Sequence, residues 1–180
     1  SWLKPDDFQD RARELAAARL AAAPPEHRER ARAFFAEIDT ALGDKLAQRL
    51  GWQPRCKPTR TRAGRLVLPL YSDTYSFSLM ALSDDDGETW RASAPLIGFG
   101  NIQPAVLERR DGTLVAYMRE NGTLERVRVA ESADGGETWG EVGVADLPIP
   151  GSGLDGLRLA GGAWILLHND TTEGRRSEEH

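Results

Sequence analysis

Two octapeptides 49 residues apart, Ser83-Asp84-Asp85-Asp86-Gly87-Glu88-Thr89-Trp90 and Ser132-Ala133-Asp134-Gly135-Gly136-Glu137-Thr138-Trp139, constrain this chain more than any other feature. Both fit S-x-D-x-G-x-T-W, a pattern too specific to recur by chance in 180 residues. A period near 50 with short strands between copies predicts propeller blades, small sheets that cannot bury both faces alone and therefore stack. Gly64, Gly112 and Gly162 mark a second recurring turn, so three starts of one unit are present.

In the first unit the pattern predicts strands over 57–62, 65–71 and 77–83. The second repeats them over 103–109, 113–119 and 126–132, with Asp111-Gly112 favouring a tight hairpin. A third unit begins over 154–159 and continues over 163–168. Propellers need about four to eight four-stranded blades, at roughly 45 residues each. Once the first 50 residues are set aside, the 180-residue chain supplies only about two and a half. The expectation is a mainly β fold, a partial propeller, with the absent blades supplied in cis or by assembly of several chains. The chain opens on Ser1 rather than Met and stops in Arg175-Arg176-Ser177-Glu178-Glu179-His180, where a third blade should still be running.

Residues 1–50 read differently. Asp6 or Asp7 can cap a first helix after Pro5. Ala-rich sequence then runs to Ala23, and Pro24-Pro25 stops it. A second helix starts near Glu26, with Phe34, Ile38, Leu42, Leu46 and Leu50 in one apolar stripe at four-residue spacing. Gly43 bends or splits it and Gly51 ends it. This predicts a helical hairpin over 1–50 beside the β part at 53–180. The hairpin is a packing or capping element, or alternatively a rim or partner surface.

The formal charge of −5 argues against a nucleic-acid partner, which requires a basic surface. Arg55, Lys57, Arg60, Arg62 and Arg65 do form an acid-free cluster, expected mostly on a solvated strand and turn. Cys56 is the sole cysteine, which excludes an internal disulfide and a thiolate metal cluster. His27, His168 and His180 have no metal-site spacing. No metal and no cofactor is implied. No apolar run reaches the length of a membrane span and no signal peptide is visible. The expected compartment is cytoplasmic if the N-terminus is near native.

The octapeptides read as structural staples. Asp85 and Asp134 can accept hydrogen bonds from nearby backbone amides, and Gly87 and Gly136 tolerate left-handed backbone. Ser83, Thr89, Ser132 and Thr138 supply local polar links, and Trp90 and Trp139 fold under the turn as apolar plugs. A calcium loop at Asp84-Asp85-Asp86-Gly87 is the rival, but an EF-hand needs a glutamate six residues after its glycine. Position 93 is serine.

On these octapeptides the chain resembles the sialidase-like, Asp-box or BNR-repeat proteins. Gly100-Asn101-Ile102-Gln103-Pro104, Tyr117-Met118-Arg119, Gly151-Ser152-Gly153-Leu154-Asp155 and Asn169-Asp170 are similar to a bacterial branch of that family. The resemblance covers about 53–177. It implies a six-bladed propeller with the Asp boxes on the outer side, away from the active centre. It also implies three carboxylate-binding arginines, a tyrosine nucleophile activated by a glutamate, and an aspartate acid/base. The family's early Arg-Ile-Pro element has only Lys57-Pro58 as its nearest match here, and no Tyr/Glu pair is assignable.

Propeller chemistry collects where inner strands begin and where loops between second and third strands converge on the channel. The inner-strand starts offer Arg55, Lys57, Asn101, Gln103, Ser152 and Asp155. The loops offer Asp73, Tyr75, Arg119, Glu120, Asn121, Asn169 and Asp170. Amides and carboxylates of this kind grip hydroxyls, while Lys57 or Arg119 pairs with a carboxylate. Arg119 suits that role better because its fork engages a planar carboxylate twice. Arg119, Asp155 and Asp170 are the candidate catalytic residues; Lys57, Asp73, Asn101, Gln103 and Asn169 are the candidate substrate contacts. Gln103, before Pro104, is expected to be held extended. Trp164 is expected between blades, and Tyr71 and Tyr117 at matching strand ends.

The leading functional expectation is a sialidase-like glycosidase, or a fragment of one, with an acidic carbohydrate as partner. A non-catalytic carbohydrate- or protein-binding propeller and a polysaccharide lyase with a Tyr or His base are the alternatives. The isolated chain is expected to be inactive and to self-associate through open blade flanks.

Overall fold

The computed structural model describes residue 3 and residues 5–172, without the side chains of Pro5 and Asp6. The terminal stretch 175–180, with His180, lies outside the described residues, as does any capping role of the Asp6 side chain.

Helix α1 (Pro5–Ala22) runs to the two prolines, and a 3-10 turn at Pro25–His27 leads into α2 (Arg28–Leu42). The long second helix splits at Gly43. Asp44 caps α3 (Lys45–Leu50) by accepting from the backbone amides of Leu46 and Ala47. The split also breaks the expected stripe. Ile38 and Leu42 are buried, but Leu46 and Leu50 are 66% and 75% exposed, because the cap re-aims α3. Phe35, off the stripe, is buried instead.

Ten strands follow. β1 (Thr59–Arg60), β2 (Leu66–Ser72), β3 (Phe77–Ser83) and β4 (Arg91–Ala92) form one antiparallel sheet in that order. β5 (Asn101–Glu108), β6 (Leu114–Glu120), β7 (Arg126–Ser132) and β8 (Gly143–Pro148) form a second. β9 (Asp155–Arg158) and β10 (Trp164–Leu167) pair as the first hairpin of a third unit. The sheets are unclosed. With the N-terminal helices they form a mainly β structure consistent with a partial propeller-like fold. The inner strand expected over 57–62 shrinks to two residues, and β4 and β8 complete each sheet beyond the expected strands.

The three first hairpins share one turn. The amides of Thr61, Arg109 and Leu159 donate to the carbonyls of Arg65, Thr113 and Ala163, and those of Gly64, Gly112 and Gly162 donate back to Thr61, Arg109 and Leu159. All three glycines have φ between 85° and 93°, where a Cβ is strained. An arginine then ties each turn to the next: Arg62 Nη1 donates to the Arg110 carbonyl at 2.6 Å and Arg110 Nη2 to the Gly161 carbonyl at 3.4 Å.

Packing follows the same stacking logic. Leu70, Phe77 and Leu79 of the first sheet share a core with Phe8, Phe35 and Leu42 of the helices. Val67, Met80 and Leu82 meet Val106, Leu114 and Met118 between the first and second sheets. Cys56, Ala105, Val127, Ile149 and Leu154 fill the junction with the third unit. The outer face of that unit leaves Leu157, Leu159, Ile165 and Leu167 exposed.

Candidate functional site

The octapeptide loops bond largely to themselves. Ser83 Oγ donates to Asp85 Oδ1 at 2.8 Å and accepts from the Gly87 amide, while Thr89 donates to Asp85 through both its amide and its hydroxyl. Trp90 Nε1 donates to the Gly87 carbonyl. Ser132, Asp134, Gly136, Thr138 and Trp139 repeat every one of these bonds. Hydrogen bonds from Thr89 and then Ser83 hold the Asp85 carboxyl down at about 2. In Asp134 burial pushes upward, but the bonds from Thr138 and Ser132 prevail and the carboxyl lies below its usual range. The indole rings are half-buried rather than enclosed plugs. Arg65, from the basic cluster, pairs with Asp84 at 2.6 Å and with Glu137 at 3.0 Å, bridging the two loops, and Arg91 joins the same two acids.

The inner-strand starts converge. Lys57 Nζ crosses from the first unit to Asp155 Oδ1 of the third at 3.0 Å and to the Gly156 carbonyl at 2.6 Å. Both side chains remain about half exposed, so a solute reaches them. Asp155 Oδ1 also accepts from the Gly156 amide. Arg55 Nη1 donates to the Leu154 carbonyl at 2.9 Å, and its guanidinium occupies the space above Gly153, where a Cβ would lie 2.2 Å from Cζ. The Gly-Ser-Gly run thus admits an arginine of this chain.

Beneath them Cys56 is buried, its thiol donating to the Leu154 carbonyl at 3.2 Å. Burial and then the Asp155 charge push that thiol up, against the opposing pull of Arg55 and Lys57. Cys56, the sole cysteine, is thus a buried packing residue between Arg55 and Lys57, as its residue type leads one to expect.

Gln103 is not extended. Its φ is +54°, at the irregularity between Ile102 and Ala105 in β5. The proline disfavours the right-handed α region at the preceding residue, and the bulge takes the left-handed one instead. The Gln103 Oε1 and Ser152 Oγ atoms are buried with no hydrogen-bond partner among the described residues. Gln103 joins the Arg55, Lys57 and Asp155 group through its backbone carbonyl, 3.9 Å from the Cys56 thiol, and Ser152 precedes the Gly153 that Arg55 covers.

Other candidates fall elsewhere. Asn101 is fully buried, its side-chain nitrogen donating to the Leu96 carbonyl at 2.8 Å and its backbone carbonyl accepting from Ser78 Oγ, so its side chain is enclosed rather than open to a solute. Arg119 is half-buried on β6 opposite Ile102. Asp73 sits exposed on the β2–β3 turn, 3.5 Å from Gln53 Nε2. Asn169 and Asp170 follow β10, and among the described residues no hydrogen bond joins them to Lys57 or Asp155. Tyr75 is buried beneath the helices, stacked on Phe77 and edge-on to Phe8, with burial pushing its hydroxyl up to about 12. Tyr117 packs edge-on against Trp164, which lies between the second and third units as expected. Glu120 and Arg128 face each other at 3.7 Å, both largely buried. Among the described residues no group of three His, Cys, Asp or Glu could hold a metal ion, and no helix is long and apolar enough to cross a membrane.

Stacked four-stranded sheets with inner-strand starts meeting in one polar cluster define a repeat protein of the propeller-like class. Residues 53–178 match the family described as BNR repeat-like domain, and the chain belongs to that family. It is 32% identical over 128 residues to a sialidase of Micromonospora viridifaciens, covering 64% of this chain and 20% of the relative. It is 34% identical over 85 residues to an anhydrosialidase of Macrobdella decora, covering 46% of this chain and 11% of the relative. A leech intramolecular trans-sialidase structure, complexed with 2,7-anhydro-Neu5Ac, superposes with a TM-score of 0.56 at 26% identity, over 66% of this chain and 19% of that one. The chain thus spans a fifth or less of the lengths of these relatives. These similarities associate it with the sialidase superfamily.

Proposed function

We propose that this chain forms two and a half blades of a six-bladed sialidase-like propeller that cleaves the glycosidic bond of an acidic sugar, with residues 1–50 as a helical cap on 53–180. The observation that carries the reading is the Lys57–Asp155 contact, which brings the inner-strand starts of the first and third units together beside Gln103 and Arg55. A substrate carboxylate competes with Asp155 for Lys57; Asp155, released and protonated from solvent, then gives that proton to the leaving glycosidic oxygen. Arg119 supplies a second, forked cation and Gln103 an amide for hydroxyls. Asp73, Asn169 and Asp170 complete the rim, and the octapeptides stay outside the chemistry. The superfamily association supports this assignment.

One observation favours a second reading, a non-catalytic carbohydrate-binding propeller. The described tyrosines are all engaged in packing or hydrogen bonds: Tyr71 to Gln53, Tyr75 to Ala41 and Tyr117 to Trp164. The test is kcat/KM on a panel of sialosides and uronides for a protein with a completed ring, as wild type, Arg119→Lys and Arg62→Lys. The hydrolase reading expects a loss of about tenfold or more for Arg119→Lys alone. Binding of the same sugars without turnover selects the second reading.

A further inference from the structure

The helices take part in a cavity that shares no residue with the Lys57–Asp155 cluster. Between the end of the helical hairpin and the β6–β7 loop lies an open pocket of about 510 Å³. That is within the range of small-molecule sites. One wall is a single face of α2, on which Arg30, Ala31 and Phe34 follow one another at helical spacing. Phe34 and Phe35 both pack on Phe99, with ring centroids 5.5 and 5.3 Å apart, so Phe34 and Phe99 present a ready-made aromatic wall. Leu124 and Val144, 42% and 50% exposed, form the opposite lip.

The polar groups in this mainly apolar space are unevenly matched. Arg128 is 13% exposed and has Glu120 at 3.7 Å, while its Nε is buried with no hydrogen-bond partner among the described residues. Glu120 is itself committed: Oε2 accepts from the Leu124 amide at 3.1 Å, and Gly122 is tucked against Oε1 where a Cβ would lie 2.4 Å away. Two guanidiniums, Arg30 and Arg128, and His27 therefore border the pocket against one carboxylate already in use. A buried guanidinium with unused donor capacity is an anion site wherever an anion can reach it.

From this juxtaposition we propose that the pocket between α2 and the β6–β7 loop binds a small organic carboxylate with a planar apolar body, the ring against Phe34 and Phe99 and the carboxylate on Arg128. The helical segment is then part of a binding site as well as a cover for the first sheet.

The probe is 2-naphthoate, with 2-naphthylmethanol as its uncharged counterpart, titrated into the 180-residue chain by calorimetry and by backbone amide NMR. The site requires 2-naphthoate to bind at least about tenfold more tightly than the alcohol, with shifts centred on Gly122–Leu124 and Phe34. Arg128→Met should remove that tenfold preference while leaving alcohol binding within about twofold. Val144→Trp, which fills the mouth from the strand position paired with Arg128 and keeps both charges, should weaken both ligands about tenfold. It also serves as the deciding variant if Arg128→Met fails to fold. Equal affinity for acid and alcohol, shifts centred on Leu157–Leu167, or unchanged naphthoate affinity in Val144→Trp would each overturn the assignment.

Discussion

Truncating Trp139 to alanine tests whether the octapeptide holds the stacked sheets together. The ring is half-buried against the core between the first and second sheets, and its Nε1 donates to the Gly136 carbonyl at 3.1 Å. A tryptophan buries roughly 150–250 Å² when enclosed. About half of that, near 100 Å² at about 25 cal/mol per Å², corresponds to about 2.5 kcal/mol. The lost hydrogen bond adds about 0.5–1 kcal/mol, giving a total of about 3 kcal/mol. For a chain of this size that lowers Tm by about 6–12 °C. Trp139→Phe keeps most of the area and loses only the donor, so it should cost about 1 kcal/mol. Far-UV circular dichroism melts and urea titrations read both variants. A loss below about 1 kcal/mol for the alanine variant, or equal losses for alanine and phenylalanine, would refute the packing argument.

Gly64→Ala and Gly136→Ala share a positive φ, but only the second Cβ meets neighbours, Leu82 and Leu114 at 3.3 and 3.4 Å. Urea titration should show about 1–2 kcal/mol of strain at Gly64 and a larger loss at Gly136. The Asp85 carboxyl titrates at about 2 in the fold, below its unfolded value near 3.9. Its stabilisation is therefore present above about pH 4 and fades as pH falls toward 2. Asp85→Asn should flatten the Tm profile across that interval, and an unchanged acid limb would remove the hydrogen bonds as its cause. The Cys56 thiol should titrate higher in Lys57→Met, which removes a cation, and lower in Asp155→Asn, which removes a carboxylate, as read from thiolate absorbance at 240 nm. Shifts in the opposite senses would mean that the cluster is not assembled as described.

The repeat made the strands legible because each octapeptide and each hairpin glycine fixes a turn through its own side chains and backbone. That is why strands 77–83 and 126–132 coincide with β3 and β7 to the residue. β4 and β8 carried no such mark: one is two residues long, and the other alternates half-buried and exposed positions as an outer strand. The convergence of Lys57 and Asp155 was legible as two positions equivalent by repeat. That they touch depends on the rotation between sheets, which no local pattern encodes. Tyr75 is hidden for the same reason, since the helical hairpin that covers it comes from elsewhere in the chain, whereas Asn101 is closed in by the nearby Leu96 loop. At Gln103 a local rule was read too narrowly, because the proline restricts one backbone region and the bulge used another.

We propose the Lys57–Asp155 cluster as the reacting end of an acidic-sugar glycosidase. Its most direct test is Asp155→Asn in a protein with a completed ring, with kcat/KM on the cleaved sialoside measured beside Tm. A reacting Asp155 predicts a loss of about 100-fold or more with Tm held within a few degrees, because the exposed pair contributes at most about 1 kcal/mol to stability. A folded Asp155→Asn protein that cleaves the same substrate at the wild-type rate would contradict it.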